Sequence, residues 1–268
     1  MRVAAVQYRP DFADSKSNSR RIAAQIEELA HHGVELAVFP EAALTGYCFD
    51  SREDAEQAAV SMESDEIVSI AEACARAEVH AIFGFAEKDG KTLYNTAAFI
   101  GPHGVTGKYR KTHLPYLGLD RFVGKGDALP VFDSEVGKIG ILICFDIRFP
   151  EPGRVMALAG ADIICLPTNW PSSAEPASDI VCPARAIENH VYVVASNRVG
   201  EENGFKFIGR SKIIAPGGVV LKAFDNEEEG VIIADIDLDV ARKKRLVRIP
   251  GKYEMDLIEA RRPELYGC

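Results

Sequence analysis

Lys138-Ile139-Gly140-Ile141-Leu142-Ile143-Cys144 is a continuous apolar run after its opening lysine, and it leads into Phe145-Asp146-Ile147-Arg148-Phe149-Pro150-Glu151. A run of this length with no polar alternation reads as a strand buried on both faces, as in parallel sheets covered by helices. Working outward, the same alternation of strand-like and helix-like patterns continues both ways. Upstream, strands are expected at 2–7, 35–39, 79–86, 94–100 and 105–109, with helices at 16–31 and 64–77. Downstream, helices are expected at 150–159 and 179–189, strands at 162–166, 191–196, 207–214, 219–223 and 230–236, and a basic helix near 238–246. The stretch 110–129 has no period and reads as a long loop. No repeat or linker interrupts the pattern, so one domain over 1–268 is expected, with 249–268 as a polar C-terminal arm. Alternating elements mean the α/β class, and periodicity leaves open whether the strands form one doubly wound sheet or a two-sheet sandwich.

Composition narrows the function. The 268 residues are 47% hydrophobic and 26% charged, which is globular usage with ample apolar surface for a core. The net charge of −9 disfavours nucleic acid and anionic membranes as partners. No apolar run approaches the length of a membrane span, and Met1-Arg2-Val3-Ala4-Ala5-Val6-Gln7 reads as a strand rather than a signal peptide. The six cysteines (48, 74, 144, 165, 182 and 268) form no Cys-x-x-Cys pair, which points to free thiols in a reducing cytoplasm. The six histidines lack metal-ligand spacing, so no metal site is expected.

Three residues could carry chemistry. Cys144 ends the apolar strand just before a helix start, where backbone N–H groups can activate a thiol and bind an oxyanion. Glu41 ends a second apolar strand in Val38-Phe39-Pro40-Glu41, at a rim where a carboxylate can act as general base. Lys111 opens the long loop in Lys108-Tyr109-Arg110-Lys111-Thr112-His113-Leu114-Pro115 and can stabilise an oxyanion as a point charge. Taken singly, each has an ordinary structural role: a packing cysteine, a solvated carboxylate, a basic turn.

Taken together and in order, these stretches resemble the nitrilase superfamily of carbon–nitrogen hydrolases. Phe39-Pro40-Glu41, Lys108 to Pro115 and Gly140 to Glu151 carry the resemblance. Val3-Ala4-Ala5-Val6-Gln7, Tyr94-Asn95-Thr96-Ala97, Arg185-Ala186-Ile187-Glu188-Asn189 and Arg261-Arg262-Pro263-Glu264-Leu265-Tyr266 support it over nearly the whole chain. It implies a four-layer αββα sandwich, pairing of two subunits into a homodimer or larger assembly, and a Glu41-Lys111-Cys144 triad.

The implied reaction is hydrolysis of a small amide through a thioester, with release of ammonia. Glu41 would take the thiol proton, and Lys111 with the backbone N–H of Phe145 would hold the oxyanion. No metal or organic cofactor is required. Family members carry a second glutamate after the lysine. Here Asp120 is the nearest carboxylate, and it either fills that role or pairs with Arg121. Tyr47, Asn169 and Trp170 are expected near the pocket, with Trp170 either at its rim or plugging the core. Arg148 either binds a substrate carboxylate or pairs with Asp146 or Glu151. Cys144-Phe145-Asp146 looks more like the amidase and carbamoylase branches than the Cys-Trp-Glu of true nitrilases. The rivals are an N-carbamoyl amino acid or amine hydrolase, a nitrile hydrolase and a catalytically silent binding member.

Overall fold

In a computed structural model, which describes residues 1–266, the first part of the chain runs β1 (Arg2–Gln7), α1 (Ser15–His31), β2 (Leu36–Val38), α2 (Arg52–Ala58), α3 (Asp65–Ala77), β3 (His80–Asp89), β4 (Thr92–Gly101) and β5 (Gly104–Arg110). It continues through β6 (Val131–Ser134), β7 (Gly137–Ile141), α4 (Pro150–Leu158), β8 (Ile163–Thr168), α5 (Cys182–Asn189) and β9 (Tyr192–Asn197). The last part holds β10 (Val199–Glu202), β11 (Phe205–Ile208), β12 (Lys212–Ile214), β13 (Val220–Ala223), β14 (Gly230–Asp235), α6 (Leu238–Arg242), β15 (Arg245–Ile249) and β16 (Tyr253–Asp256).

The main strands divide between two six-stranded mixed sheets, ordered β14-β1-β2-β3-β4-β5 and β13-β12-β9-β8-β7-β6. Each has a parallel centre, β1-β2-β3 in one and β7-β8-β9 in the other, flanked by antiparallel strands. Strand parity shows how the layers stack. In β1, Val3 and Ala5 belong to the core that also holds Ile139 and Ile141 of β7, while Ala4 and Val6 pack with Ile22 and Ile26 of α1 and Ile70 of α3. Alternate side chains point to opposite faces, so the first sheet is covered by the second on one side and by helices on the other. On the far side Gly140 lies against Met156 of α4, and Cys182 and Ala186 of α5 join the same core. The result is the αββα sandwich, and the unbroken hydrophobicity of 138–144 follows from burial on both faces.

Three expectations change. The single strand expected at 207–214 is two, because Gly209 and Arg210 both take left-handed φ values of 61° and 60°. That kink sends β11 back onto β10 and lets β12 join β9. The basic helix expected at 238–246 stops at Arg242. Beyond it the β-branched Val247 and Ile249 favour an extended chain, and β15 pairs with β16. The polar arm therefore opens in a β-ribbon and runs on through turns to a 3₁₀ turn at Pro263–Leu265, and Cys268 lies outside the described residues. The loop 110–129 is irregular as expected, apart from a 3₁₀ turn at Gly118–Arg121.

The sandwich delivers three strand ends to one place: Glu41 after β2, Lys111 after β5 and Cys144 after β7. The Glu41 loop is laid directly across β3. Gly84 N–H donates to Pro40 O at 3.0 Å, and Leu44 N–H donates to Gly84 O at 3.1 Å. A Cβ on Gly84 would sit 2.3 Å from Ala42 N and 2.7 Å from Glu41 Cα, so only glycine permits this crossing. Gly84→Ala should therefore lift the Glu41 loop, lowering stability by about 1–3 kcal/mol, as overpacking does. Turnover should fall further than stability predicts. Thermal melting and turnover of the same variant check this, and a stable, fully active Gly84→Ala protein would contradict it.

Candidate active site

The motif Lys108-Tyr109-Arg110-Lys111 is read by strand parity. The side chains of Lys108 and Arg110 turn to the carboxylate of Glu87, whereas Tyr109 and Lys111 turn inward and are buried. The Lys111 ammonium, at 0% exposure, donates to Glu41 Oε1 at 2.7 Å and to Asp120 Oδ2 at 2.5 Å. Asn95, buried on β4, bridges the same two carboxylates. Its Nδ2 donates to Glu41 Oε1 at 2.7 Å and to Asp120 Oδ1 at 2.8 Å. Tyr47 OH donates to Asp120 Oδ2 at 2.8 Å. Asp120 thus stands in the cluster. Its suggested pairing with Arg121 does not form, because the Arg121 guanidinium turns to the carbonyls of Gly118 and Phe49.

Two acceptors in this network are left over, Asn95 Oδ1 and Glu41 Oε2. Glu41 Oε2 is buried and meets no partner among the described residues. Burial raises the Glu41 pKa; the Lys111 charge opposes that rise without cancelling it. Burial also works against the Lys111 charge, but Asp120 and Glu41 outweigh it and hold the ammonium well above its ordinary range.

Cys144 begins a 3₁₀ turn, Cys144–Arg148, with φ at +46°. A residue with a Cβ held in the left-handed region is strained by roughly 1–2 kcal/mol, so its surroundings must fix it. Asp146 does so. Its Oδ2 accepts from Ile143 N–H at 3.0 Å and Tyr109 OH at 2.8 Å. Its Oδ1 accepts from Thr112 Oγ1 at 3.0 Å and His113 N–H at 2.9 Å, and the His113 ring Nδ1 lies 2.7 Å away. With these partners Asp146 is a clamp between the lysine strand and the cysteine turn, and no lone pair remains for it to serve as base. Arg185 closes the other end of the turn, donating from Nε to Ile147 O and from Nη2 to Arg148 O, both at 3.0 Å.

The Cys144 thiol is pushed up to about 12, first by burial and then by the Glu41 charge. Lys111, the Thr168 hydroxyl and the Asn169 backbone N–H pull the other way. Cys144 is nonetheless the least buried of the described cysteines; Cys48, Cys74, Cys165 and Cys182 are closed to solvent.

The remaining expectations sort clearly. Tyr47 and Asn169 are in the cluster or beside the sulfur. Trp170 is not at the rim: it is 3% exposed in the main core, with its N–H bonded to Asn197 Oδ1. Arg148 is exposed and forms no ion pair among the described residues, so neither Asp146 nor Glu151 holds it. Asn95 and the Asp146 clamp were missed as site residues. The signal for Asn95 was there, since an asparagine inside a strand is out of place unless its amide is used.

The family model for carbon-nitrogen hydrolases matches residues 2–246. A nitrilase from Pyrococcus abyssi is 40% identical over 99% of this chain and 99% of its own length. The chloroplastic omega-amidase of Arabidopsis thaliana is 30% identical over 95% of this chain and 70% of its own. In fold, the chain resembles Saccharomyces cerevisiae Nit3, with a TM-score of 0.81 at 24% identity, covering 91% of this chain and 92% of that one. It also resembles an amidase from Nesterenkonia sp. AN1, with a TM-score of 0.78 at 24% identity, covering 90% of this chain and 95% of that one. Relatives that span the chain end to end, and a site of one acid, one lysine and one cysteine on three converging strand ends, place this protein in the nitrilase superfamily of carbon–nitrogen hydrolases.

Proposed function

We propose that this hydrolase cleaves a small aliphatic amide, with Glu41, Lys111 and Cys144 as its catalytic triad. The observation that carries the reading is Glu41 Oε2, a buried acceptor with no partner among the described residues, on a carboxylate whose charge is felt by the Cys144 thiol. Glu41 Oε2 takes the thiol proton as Sγ attacks the carbonyl carbon. The carbonyl oxygen becomes the oxyanion. Two of the three Lys111 hydrogens are already directed at Glu41 and Asp120, leaving the third for that oxyanion. The backbone N–H of Phe145 is the second oxyanion donor. Collapse breaks the carbon–nitrogen bond, the proton on Glu41 passes to the leaving amine, and ammonia departs. Glu41 then takes a proton from water, which attacks the thioester; the acid is released, and Glu41 returns that proton to the departing sulfur, restoring the thiol and the carboxylate. Asp120 holds Lys111 in place.

In the E41Q mutant of the Nesterenkonia amidase the acetamide moiety of fluoroacetamide is covalently added at the active-site cysteine, which supports a thiol nucleophile on this fold. The name of the Pyrococcus relative favours a second reading, in which the same thiol attacks a nitrile. Cys144-Phe145-Asp146 supports the amide instead. Buried thiols on most of the described cysteines fit a reducing cytoplasm as the working compartment.

Assembly belongs to the same proposal. The β15–β16 ribbon leaves Val247, Ile249 and Tyr253 about half exposed, and Val155 and Leu158 of α4 line an open groove of about 750 Å³ with the C-terminal residues Arg261 and Pro263. A two-stranded ribbon is marginal by itself, so a second copy of the chain is its expected cover.

Three outcomes follow. Cys144→Ala and Cys144→Ser should stay folded and lose turnover in an ammonia-release assay over aliphatic amides, omega-amides, ureido acids and nitriles; a folded Cys144→Ala protein with most of its activity would exclude the thiol route. Protonated Glu41 cannot accept the thiol proton, and its pKa is raised, so kcat/KM should fall as pH drops through a value above the ordinary 4.5. A pH profile whose acid limb lies at or below that value would remove Glu41 as the base. Light scattering should give at least a dimer, and a monomer of 29.2 kDa across micromolar concentrations would refute the pairing.

A further inference from the structure

Asn169 is joined to the site by its backbone, whose N–H lies against the Cys144 sulfur. Its side chain is 1% exposed, yet neither Nδ2 nor Oδ1 meets a partner among the described residues. The backbone around it is tied down: Trp170 N–H donates to Asn197 Oδ1 at 2.8 Å, and Ile208 N–H donates to Trp170 O at 3.1 Å. A buried carboxamide with both ends open is disfavoured by the desolvation of two polar groups, so it calls for a ligand or a water. It sits one residue from Thr168, which also approaches the sulfur, and so borders the space where the acyl group must lie.

Charge narrows what can lie there. Glu41 and Asp120 share the single cation Lys111, so the cluster carries a net negative charge. The partners that the described residues give to Cys144, Glu41, Lys111 and Asp120 include no second cation. The buried Arg198 is committed to Glu202 at 2.8 Å. A substrate carboxylate beside the reacting carbon would face repulsion from this cluster, and Arg148, four residues beyond Cys144 and without an ion pair among the described residues, is exposed rather than buried among these groups.

We infer that Asn169 is a specificity residue that reads a neutral group, both donor and acceptor, on the acyl part of the substrate next to the scissile carbonyl: a hydroxyl, a second carboxamide or a ureido nitrogen and oxygen. The inference rests on the amide reading above and adds the substrate class to it. A neutral polar group satisfies Nδ2 and Oδ1 together, whereas an alkyl chain leaves both open and a carboxylate serves only the donor.

The test compares propionamide, lactamide, malonamide and succinamate with the intact enzyme and with Asn169→Leu, which keeps the volume and removes both polar ends. Wild-type kcat/KM should favour lactamide or malonamide over propionamide by about tenfold, the worth of a pair of neutral hydrogen bonds. In Asn169→Leu that preference should vanish through KM, with a melting temperature no lower than wild type because no protein partner is lost. Asn169→Ser, with a shorter polar arm, should retain part of the preference, and it carries the test should Asn169→Leu not fold. No preference in the wild type, a preference that survives in the variants, succinamate as the best substrate, or a melting temperature that drops in Asn169→Leu would each overturn the assignment. Failure of the amide reading looks different: no amide in the set would leave a thioester mass on Cys144, and the inference would fall with it.

Discussion

A lysine ammonium with no access to solvent cannot stand alone in a protein interior. Lys111 is in that position, and much of the candidate site is arranged to make it tolerable. Glu41 and Asp120 supply the opposing charge from two different loops, Tyr47 donates to the same Asp120 Oδ2 that the lysine holds, and Asn95 donates to Asp120 Oδ1, which the lysine leaves over. Because these four residues come from the end of β2, the turn at 118–121, β4 and the loop before α2, the first sheet and its loops close on one point. Removing one member of such a cluster leaves an uncompensated buried charge, which typically destabilises by about 3–5 kcal/mol. The requirement that the lysine be paired therefore also shapes the fold.

Cys144, the proposed nucleophile, belongs to the other sheet, and a further carboxylate joins the two. Asp146 takes hydrogen bonds from Ile143 on the cysteine side and from Tyr109, Thr112 and His113 on the lysine side. A single side chain thus sets the distance between thiol and ammonium and holds Cys144 at its left-handed φ. His113 stacks on Phe149, with ring centroids 4.0 Å apart, which braces the clamp from outside. Two charged nodes, one on each sheet, are enough to fix three strand ends with respect to one another.

Much of this was legible in the sequence, for identifiable reasons. The run 138–144 has no polar alternation because β7 is covered on both faces. Glu41, Lys111 and Cys144 stand out because each follows a strand-like segment. What periodicity does not carry is which strands share a sheet: β2 and β7 look alike in sequence yet lie in different layers, and only the resemblance of the ordered motifs pointed to the sandwich. The break at Gly209-Arg210 was hidden because arginine in a left-handed conformation has no apolar signature. The ribbon after Arg242 was hidden because its basic residues continue the helix-like composition. Asp120 was ambiguous since a carboxylate next to Arg121 in sequence suggests a local pair, whereas its partners lie 9, 25 and 73 residues away. Trp170 offered two readings, and its burial settles them in favour of packing.

The raised pKa of Cys144 has a consequence for how the protein meets oxidants. Peroxides and disulfides react with thiolates, and a thiol raised this far above its ordinary range presents little thiolate at neutral pH. A catalytic cysteine that owed its reactivity to a standing negative charge would be the first group in the molecule to form a sulfenic acid. In the proposed reaction the charge on sulfur would exist only while Glu41 Oε2 receives the proton and an electrophile is in place to be attacked. The same burial that makes the resting thiol a poor nucleophile also makes it a poor reductant, so chemical durability and dependence on a neighbouring base come from one arrangement.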